Sequence, residues 1–289
     1  MTARYLLVAA LFFTHVLSTV AQHTAPYKST PSEVVTLASK ILKEDRQIFI
    51  HVPKRDSSNL NKRFPVLYLM DGESHFDMLA QYADYLGRWD VEAIPPMIVV
   101  GIVNTKRTRD LTPTESITNY FGKPDTAAVS WMKPSGGNKA FLQFIRDELM
   151  PYVNTHYKTQ PFSIFAGHSF GGLASVHCLL TQPNLFDAYI AVSPSFWWDN
   201  DYVLKLADKT LKPGTTLTKT IFYSDASEGV ADNSTYHTNL LKFDALLTEH
   251  APKGLSHQYK YYPAETHMTS PVVAYFDGLR FIFKDWKSR

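Results

Sequence analysis

Strand-length apolar runs alternate with helix-length amphipathic runs along this chain, and that alternation restricts the fold more than any other feature. Phe64-Pro-Val-Leu-Tyr-Leu-Met70 and Pro96-Met-Ile-Val-Val-Gly-Ile-Val103 are apolar at nearly every position. A strand with one face in water would alternate polar and apolar residues, so these two read as strands buried on both faces. Between them, Phe76, Leu79, Tyr82 and Leu86 carry helical spacing within His75 to Trp89. The pattern then repeats. Helices are expected over 138–157, 173–180, 201–207, 236–250 and 271–286, and strands over 162–166, 188–192, 220–224 and 258–262. Two earlier strands, over 35–39 and 47–52, are expected to form a hairpin at a sheet edge. Such an order predicts an α/β protein with a mostly parallel central sheet and helices on both faces. Ligands meet sheets of this kind at the carboxyl ends of the strands, so the segments just after each strand are where chemistry is sought.

Composition narrows the class. The chain has 289 residues, 45% hydrophobic and 19% charged, with a net charge of +2. It has the makeup of a globular protein, and its charge points to neither nucleic acid nor an anionic membrane as a partner. The first 21 residues differ from the rest: Arg4, then the apolar run Tyr5 to Phe13, then Ser18-Thr19-Val20-Ala21. That is the pattern of a secretory signal cut after Ala21. The apolar run is shorter than the roughly 20 residues a membrane span needs. The expected domains are a signal peptide over 1–21 and one catalytic domain over 22–289, in a secreted or periplasmic protein with no stable membrane insertion. Cys178 is the single cysteine and falls in an apolar helix, where a packing role is expected. No His-Glu-x-x-His and no phosphate loop occurs, so neither a metal nor a cofactor is expected. Oligomeric state is not legible.

Gly167-His-Ser-Phe-Gly171 matches G-x-S-x-G and lies between an apolar strand and an apolar helix. A sharp strand-to-helix turn there would hold Ser169 as a nucleophile, as in the α/β-hydrolase fold. The base should be a histidine after Ser169, because that fold keeps the order serine, acid, histidine. His177 follows too closely, His237 and His250 flank a helix, and His257 begins a strand; His267 sits in a loop after the last strand. His168 adjoins the serine, but its side chain should point elsewhere. The acid should follow the strand ending near Ser224, where Asp225, Glu228 and Asp232 stand. Glu228 is the first choice and Asp225 its alternative. The oxyanion donors are expected to be the backbone N–H groups of Phe170 and of Glu73, the latter after Asp71-Gly72. Trp197 and Trp198 follow another strand and are expected at a substrate pocket, as is Arg109 in the irregular stretch 104–137. The basic pair Lys106-Arg107 reads as a solvated loop, with Arg107 as a further candidate for binding an anionic group. These residues point to hydrolysis of a small-molecule ester. An acyltransferase on the same site and a non-catalytic binding protein are the alternatives.

Taken together, these segments resemble a known family. Arg46-Gln-Ile-Phe-Ile-His-Val-Pro53, Val66-Leu-Tyr-Leu-Met-Asp-Gly72, Gly101-Ile102 with Arg109-Asp-Leu-Thr-Pro113, Gly167-His-Ser-Phe-Gly-Gly172 and Ser193-Pro-Ser-Phe-Trp-Trp198 are similar to stretches of the esterase family that includes enterochelin and salmochelin esterases, esterase D-like enzymes, feruloyl esterases and mycolyltransferases. The resemblance covers most of the chain after the signal segment. It implies an α/β-hydrolase fold, a Ser169–His267 pair and oxyanion donors at Glu73 and Phe170, and it favours Glu228 as the acid. Some siderophore esterases of the family work without a firm acid partner. The similarity is strongest to the exported branch near the siderophore esterases, which implies siderophore-like, aromatic or short acyl esters as substrates.

Overall fold

A computed structural model describes residues 32–54, 61–228 and 235–288. The expected signal segment and Asp232 lie outside them. The apolar runs form the middle of one sheet. Strands β1 (Ser32–Ser39) and β2 (Glu44–His51) make the expected edge hairpin. They are followed by β3 (Phe64–Leu69), β4 (Ile98–Ile102), β5 (Thr159–His168), β6 (Ala188–Val192), β7 (Thr220–Ala226) and β8 (Ser256–Tyr262). The order across the sheet is β1-β2-β4-β3-β5-β6-β7-β8. Only the pairings of β2 are antiparallel; every pairing from β4 to β8 is parallel. All residues of β3, β4 and β6 are buried, as continuous apolar strands covered on both faces must be.

Helices cover the two faces. One layer holds α4 (Asn138–Phe144) and α5 (Met150–His156), joined by a π-helical turn over Ile145–Leu149, with α6 (Phe170–Thr181), α7 (Trp198–Thr210) and α8 (Thr235–His250). The other holds α1 (Gly72–Leu86) and α9 (Ser270–Ile282). The first layer's core includes Tyr68, Phe165 and Phe186, and the second's includes Leu67, Leu69 and Tyr275. Among the described residues no helix is long and apolar enough to cross a membrane.

The irregular stretch after β4 carries two short helices, α2 (Arg107–Leu111) and α3 (Val129–Met132). The first is anchored by charge. Buried Arg46 of β2 donates to Asp110 at 2.5 Å, and Arg109 donates to Asp110 at 2.7 Å and to Glu44 at 2.6 Å. The hydrogen bonds from Arg109, helped by Arg46, hold the Glu44 carboxyl down at about 2, although burial pushes it up. A carboxyl held below its usual 4.5 stabilises the fold in full above that pH and loses the contribution as pH falls toward 2. The melting temperature should therefore drop over that interval, and Glu44→Gln should flatten part of the drop in thermal melts followed by circular dichroism.

Candidate active site

Six strand ends converge on one site. The sharpest of these junctions is between β5 and α6, where Ser169 stands at φ 60°, ψ −116°. A non-glycine residue there is strained by about 1–3 kcal/mol and persists only where its surroundings over-determine it. They do: its N–H donates to Val192 O at 2.9 Å, and its carbonyl accepts from Leu173 N at 2.9 Å and Ser195 N at 3.2 Å. The turn also needs glycine on either side. A Cβ on Gly167 would lie 2.5 Å from the Gly171 carbonyl carbon, and one on Gly172 would lie 2.9 Å from Val192 O. Both positions are closed to side chains, Gly167 because the helix starts against the strand that feeds it and Gly172 because the helix packs on the end of the neighbouring strand β6. The Ser169 hydroxyl lies 3.1 Å from that of Ser195.

His267 stands between β8 and α9, on a turn pinned by Ser270 N donating to Thr266 O at 2.9 Å and Thr266 N donating to Thr269 Oγ1 at 2.8 Å. Its Nδ1–H donates to Glu228 Oε2 at 2.5 Å. Glu228 follows β7 by two residues, and its side chain is 1% exposed. Its second oxygen, Oε1, is buried without a hydrogen-bond partner among the described residues. A carboxylate on Nδ1 fixes the tautomer that leaves Nε2 free to accept a proton. The two loops are tied together where Ser227 N donates to Glu265 O at 2.9 Å.

Two aromatic rings pack against the imidazole. His168 lies 4.5 Å from it, centroid to centroid, and Tyr236 lies 5.3 Å away; behind His168, His75 follows at 5.7 Å. Burial, with the nearby His267 adding to it, drops the His168 pKa to about 3, so this ring stays neutral across the physiological range. Burial raises the Tyr236 phenol as well.

A cavity of about 570 Å³ opens over Ser169. Its walls are Trp131, Phe170, Trp197 and Tyr236, and its mouth carries Lys106, Arg107 and Lys133. Lys133 is paired with exposed Glu115 at 3.0 Å. A groove of about 670 Å³ lies at the amino end of β3, between Phe64, Trp89 and Trp286, and no serine, histidine or cysteine is among the described residues that line it. Chemistry therefore belongs to the first cavity.

The family model described as "Putative esterase" matches residues 39–237, more than half of the 289-residue chain. The chain belongs to this esterase family. It is 35% identical to an IroE-like serine hydrolase from Shewanella oneidensis, with a TM-score of 0.82 and coverage of 89% of this chain and 81% of that one. Its fold is that of the α/β-hydrolases, as the sequence predicted. It is also 31% identical over 187 residues to the ferri-bacillibactin esterase BesA of Bacillus subtilis, a match covering 61% of this chain and 63% of that protein. A siderophore enterobactin esterase of Emericella nidulans is 37% identical over 119 residues, covering 39% of this chain and 38% of its own. The chain thus spans less than two thirds of the length of either curated relative.

Within this esterase framework the expected residues divide. Ser169, Phe170 and Trp197 line the cavity, and His267 is joined to Glu228. Glu73 opens α1 beside Asp71. Asp225 is engaged elsewhere: it accepts from His237 Nδ1 at 2.7 Å and from Tyr259 Oη at 2.8 Å. Two pocket expectations are corrected. Trp198 is fully buried and donates its indole N–H to Thr114 O at 3.1 Å, so it is a core residue. Arg109 is not part of the cavity wall; Glu44 and Asp110 hold its guanidinium. Of the pair Lys106-Arg107, Lys106 is exposed as expected, but Arg107 is not merely solvated, since it opens α2 and pairs with buried Asp71. Nor does the His168 ring point away from the site, since it packs on His267. Ser195 stands inside the segment Ser193-Pro-Ser-Phe-Trp-Trp198, which assigns it no role, and Tyr236 lies in no motif; the fold brings both to the site.

Proposed function

We propose that the chain is a serine carboxylic-ester hydrolase that works through an acyl-enzyme on Ser169, with His267 as base and Glu228 as the acid orienting it. The observation that carries this is the 2.5 Å hydrogen bond between His267 Nδ1 and Glu228, beside a serine held at φ 60° on a strand-to-helix turn. Ser169 Oγ attacks the ester carbonyl while His267 Nε2 takes its proton. The oxyanion rests on the backbone N–H groups of Phe170 and Glu73. The protonated imidazole, stabilised by Glu228, passes its proton to the departing alkoxide, which leaves as the alcohol. Water, deprotonated by the same nitrogen, then attacks the acyl-enzyme, and the carboxylic acid departs.

The cavity favours one class of ester. Four aromatic walls suit an aromatic acyl group, and the exposed Lys106 on the cavity lining suits one that carries negative charge. A catecholate siderophore ester has both properties; the Emericella relative is named a siderophore enterobactin esterase and the Bacillus one a ferri-bacillibactin esterase.

A fluorophosphonate probe should form one covalent adduct, mapped to the peptide holding Ser169. Turnover of a ferric catecholate trilactone should exceed that of p-nitrophenyl butyrate in kcat/KM. Absence of labelling would return the chain to the class of non-catalytic binding proteins. An ester rather than the free acid as main product, with an acceptor alcohol added, would make it an acyltransferase.

A further inference from the structure

Arg107 reaches two segments just past the point where the pairing of β3 with β5 ends, at Leu69 with Ala166 and Met70 N donating to Ala166 O at 3.0 Å. Its Nε and Nη2 donate to the two oxygens of Asp71 at 2.6 and 2.9 Å, and Nη2 also donates to the carbonyl of His168 at 3.3 Å. Its guanidinium carbon lies 5.3 Å from the centre of the Phe170 ring. Asp71 ends the turn after β3 with φ 56° and is 4% exposed, and His168 and Phe170 flank the nucleophile. These are the two segments from which the oxyanion donors Glu73 and Phe170 come. They also touch: a Cβ on Gly171 would lie 3.4 Å from Asp71 Oδ2.

The rest of the cluster stiffens the arrangement. Asn104 Nδ2 donates to Asp71 Oδ1 and to Glu73 Oε1, both at 2.6 Å, and Asn104 N donates to Glu73 Oε2 at 3.1 Å. Arg107 is itself held, because α2 is anchored by Arg109 and Asp110 to Glu44 and Arg46 of β2. Burial disfavours the Asp71 charge, but the hydrogen bonds from Arg107 and Asn104 outweigh it and keep the carboxyl ionised.

We propose that Arg107 is a positioning residue for ester cleavage, clamping the Asp71–Glu73 turn to the His168–Phe170 elbow and so setting the spacing of the two oxyanion N–H groups. The clamp rests on the ester-hydrolase reading of Ser169. An oxyanion site works only when its donors are held where charge develops, and a misplacement near 1 Å costs about 100-fold in rate. The planar fork of arginine can hold both carboxylate oxygens and a carbonyl at once, which a lysine cannot.

The test uses p-nitrophenyl acetate, an uncharged ester that gives a cation at the cavity mouth nothing to bind. Arg107→Lys and Arg107→Ala should each lower kcat by about 100-fold, with KM within two-fold of the wild type. Affinity for phenylboronic acid, which forms a tetrahedral adduct on the serine, should weaken by a comparable factor. A substrate-binding arginine would leave kcat for this ester unchanged, and a purely structural one would lower the melting temperature while the folded fraction kept its kcat. Removing Arg107 alone strands the Asp71 charge. If those variants do not fold, Asp71→Asn with Arg107→Gln removes both charges together and should show the same loss of kcat. A folded variant with kcat within two-fold of the wild type overturns the clamp. Should Ser169→Ala keep full activity in the same assay, the ester-hydrolase reading falls and the clamp with it; should only the Arg107 variants stay active, the clamp falls alone.

Discussion

Ser169→Ala is expected to lower kcat for p-nitrophenyl butyrate by about 10⁴-fold or more, because no covalent intermediate can form without the hydroxyl. The protein should stay folded. Alanine carries the same backbone restriction as serine at φ 60°, and the hydrogen bonds that over-determine the turn come from the main chain, to Val192, Leu173 and Ser195. What is lost is the single side-chain contact with Ser195 at 3.1 Å. The Ser195 hydroxyl is the nearest candidate to substitute as nucleophile. Its own segment, Ser193 to Trp197, joins β6 to α7 through five residues, so Ser195 does not pass straight from strand to helix as Ser169 does. Matched thermal melts of the two proteins, with kcat measured at saturating ester, check both halves of the expectation. Retention of wild-type turnover by a cleanly folded Ser169→Ala would remove the nucleophile assignment.

Much of this architecture is legible in the residues because burial on both faces leaves a strong local pattern. β6 was predicted with its observed ends, Ala188 and Val192, since it is apolar throughout and flanked by polar residues. β5 was predicted over 162–166, yet it runs from Thr159 to His168. Its polar start is recruited by pairing with β3, and its end by pairing with β6 as far as Val192. The same kind of error separates the two candidate acids. β7 was expected to stop near Ser224, but it continues to Ala226 alongside β8. Asp225 therefore belongs to a strand paired with Tyr261, and its side chain is committed to His237 and Tyr259. Glu228 lies past the end of pairing, where the chain can turn back over the sheet. Neighbouring tryptophans are harder still. Trp197 and Trp198 have identical chemistry and adjacent positions, and only the packing of α7 on the core decides that one lines the cavity and the other donates to Thr114. The Arg107–Asp71 pair joins residues 36 apart in sequence, one opening the five-residue α2 and one in the turn before α1, and neither segment has a periodicity from which the meeting could be read.

That division between Asp225 and Glu228 sets up the second large effect. Glu228→Gln should lower kcat by about 10³- to 10⁴-fold, although the substitution is nearly isosteric. The ionised carboxylate accepts the Nδ1–H of His267 and thereby holds the proton on the nitrogen remote from the serine. A glutamine can present its amide NH₂ instead, and a donor facing Nδ1 makes that nitrogen the acceptor. The proton then sits on Nε2, where it blocks removal of the serine proton. The charge matters too, since an imidazolium forms in the transition state beside a group that is 1% exposed and only weakly screened. Asp225→Asn should behave differently. It replaces one of the two oxygens that accept from His237 and Tyr259 by an amide NH₂, so it should lower the melting temperature while the folded fraction keeps most of its kcat. Measuring both variants for kcat and thermal stability separates the two carboxylates. A large loss of kcat in Asp225→Asn with little in Glu228→Gln would reverse the assignment. Equal, small losses in both would mean that the imidazole works without an acid partner, held in place by the rings of His168 and Tyr236 alone.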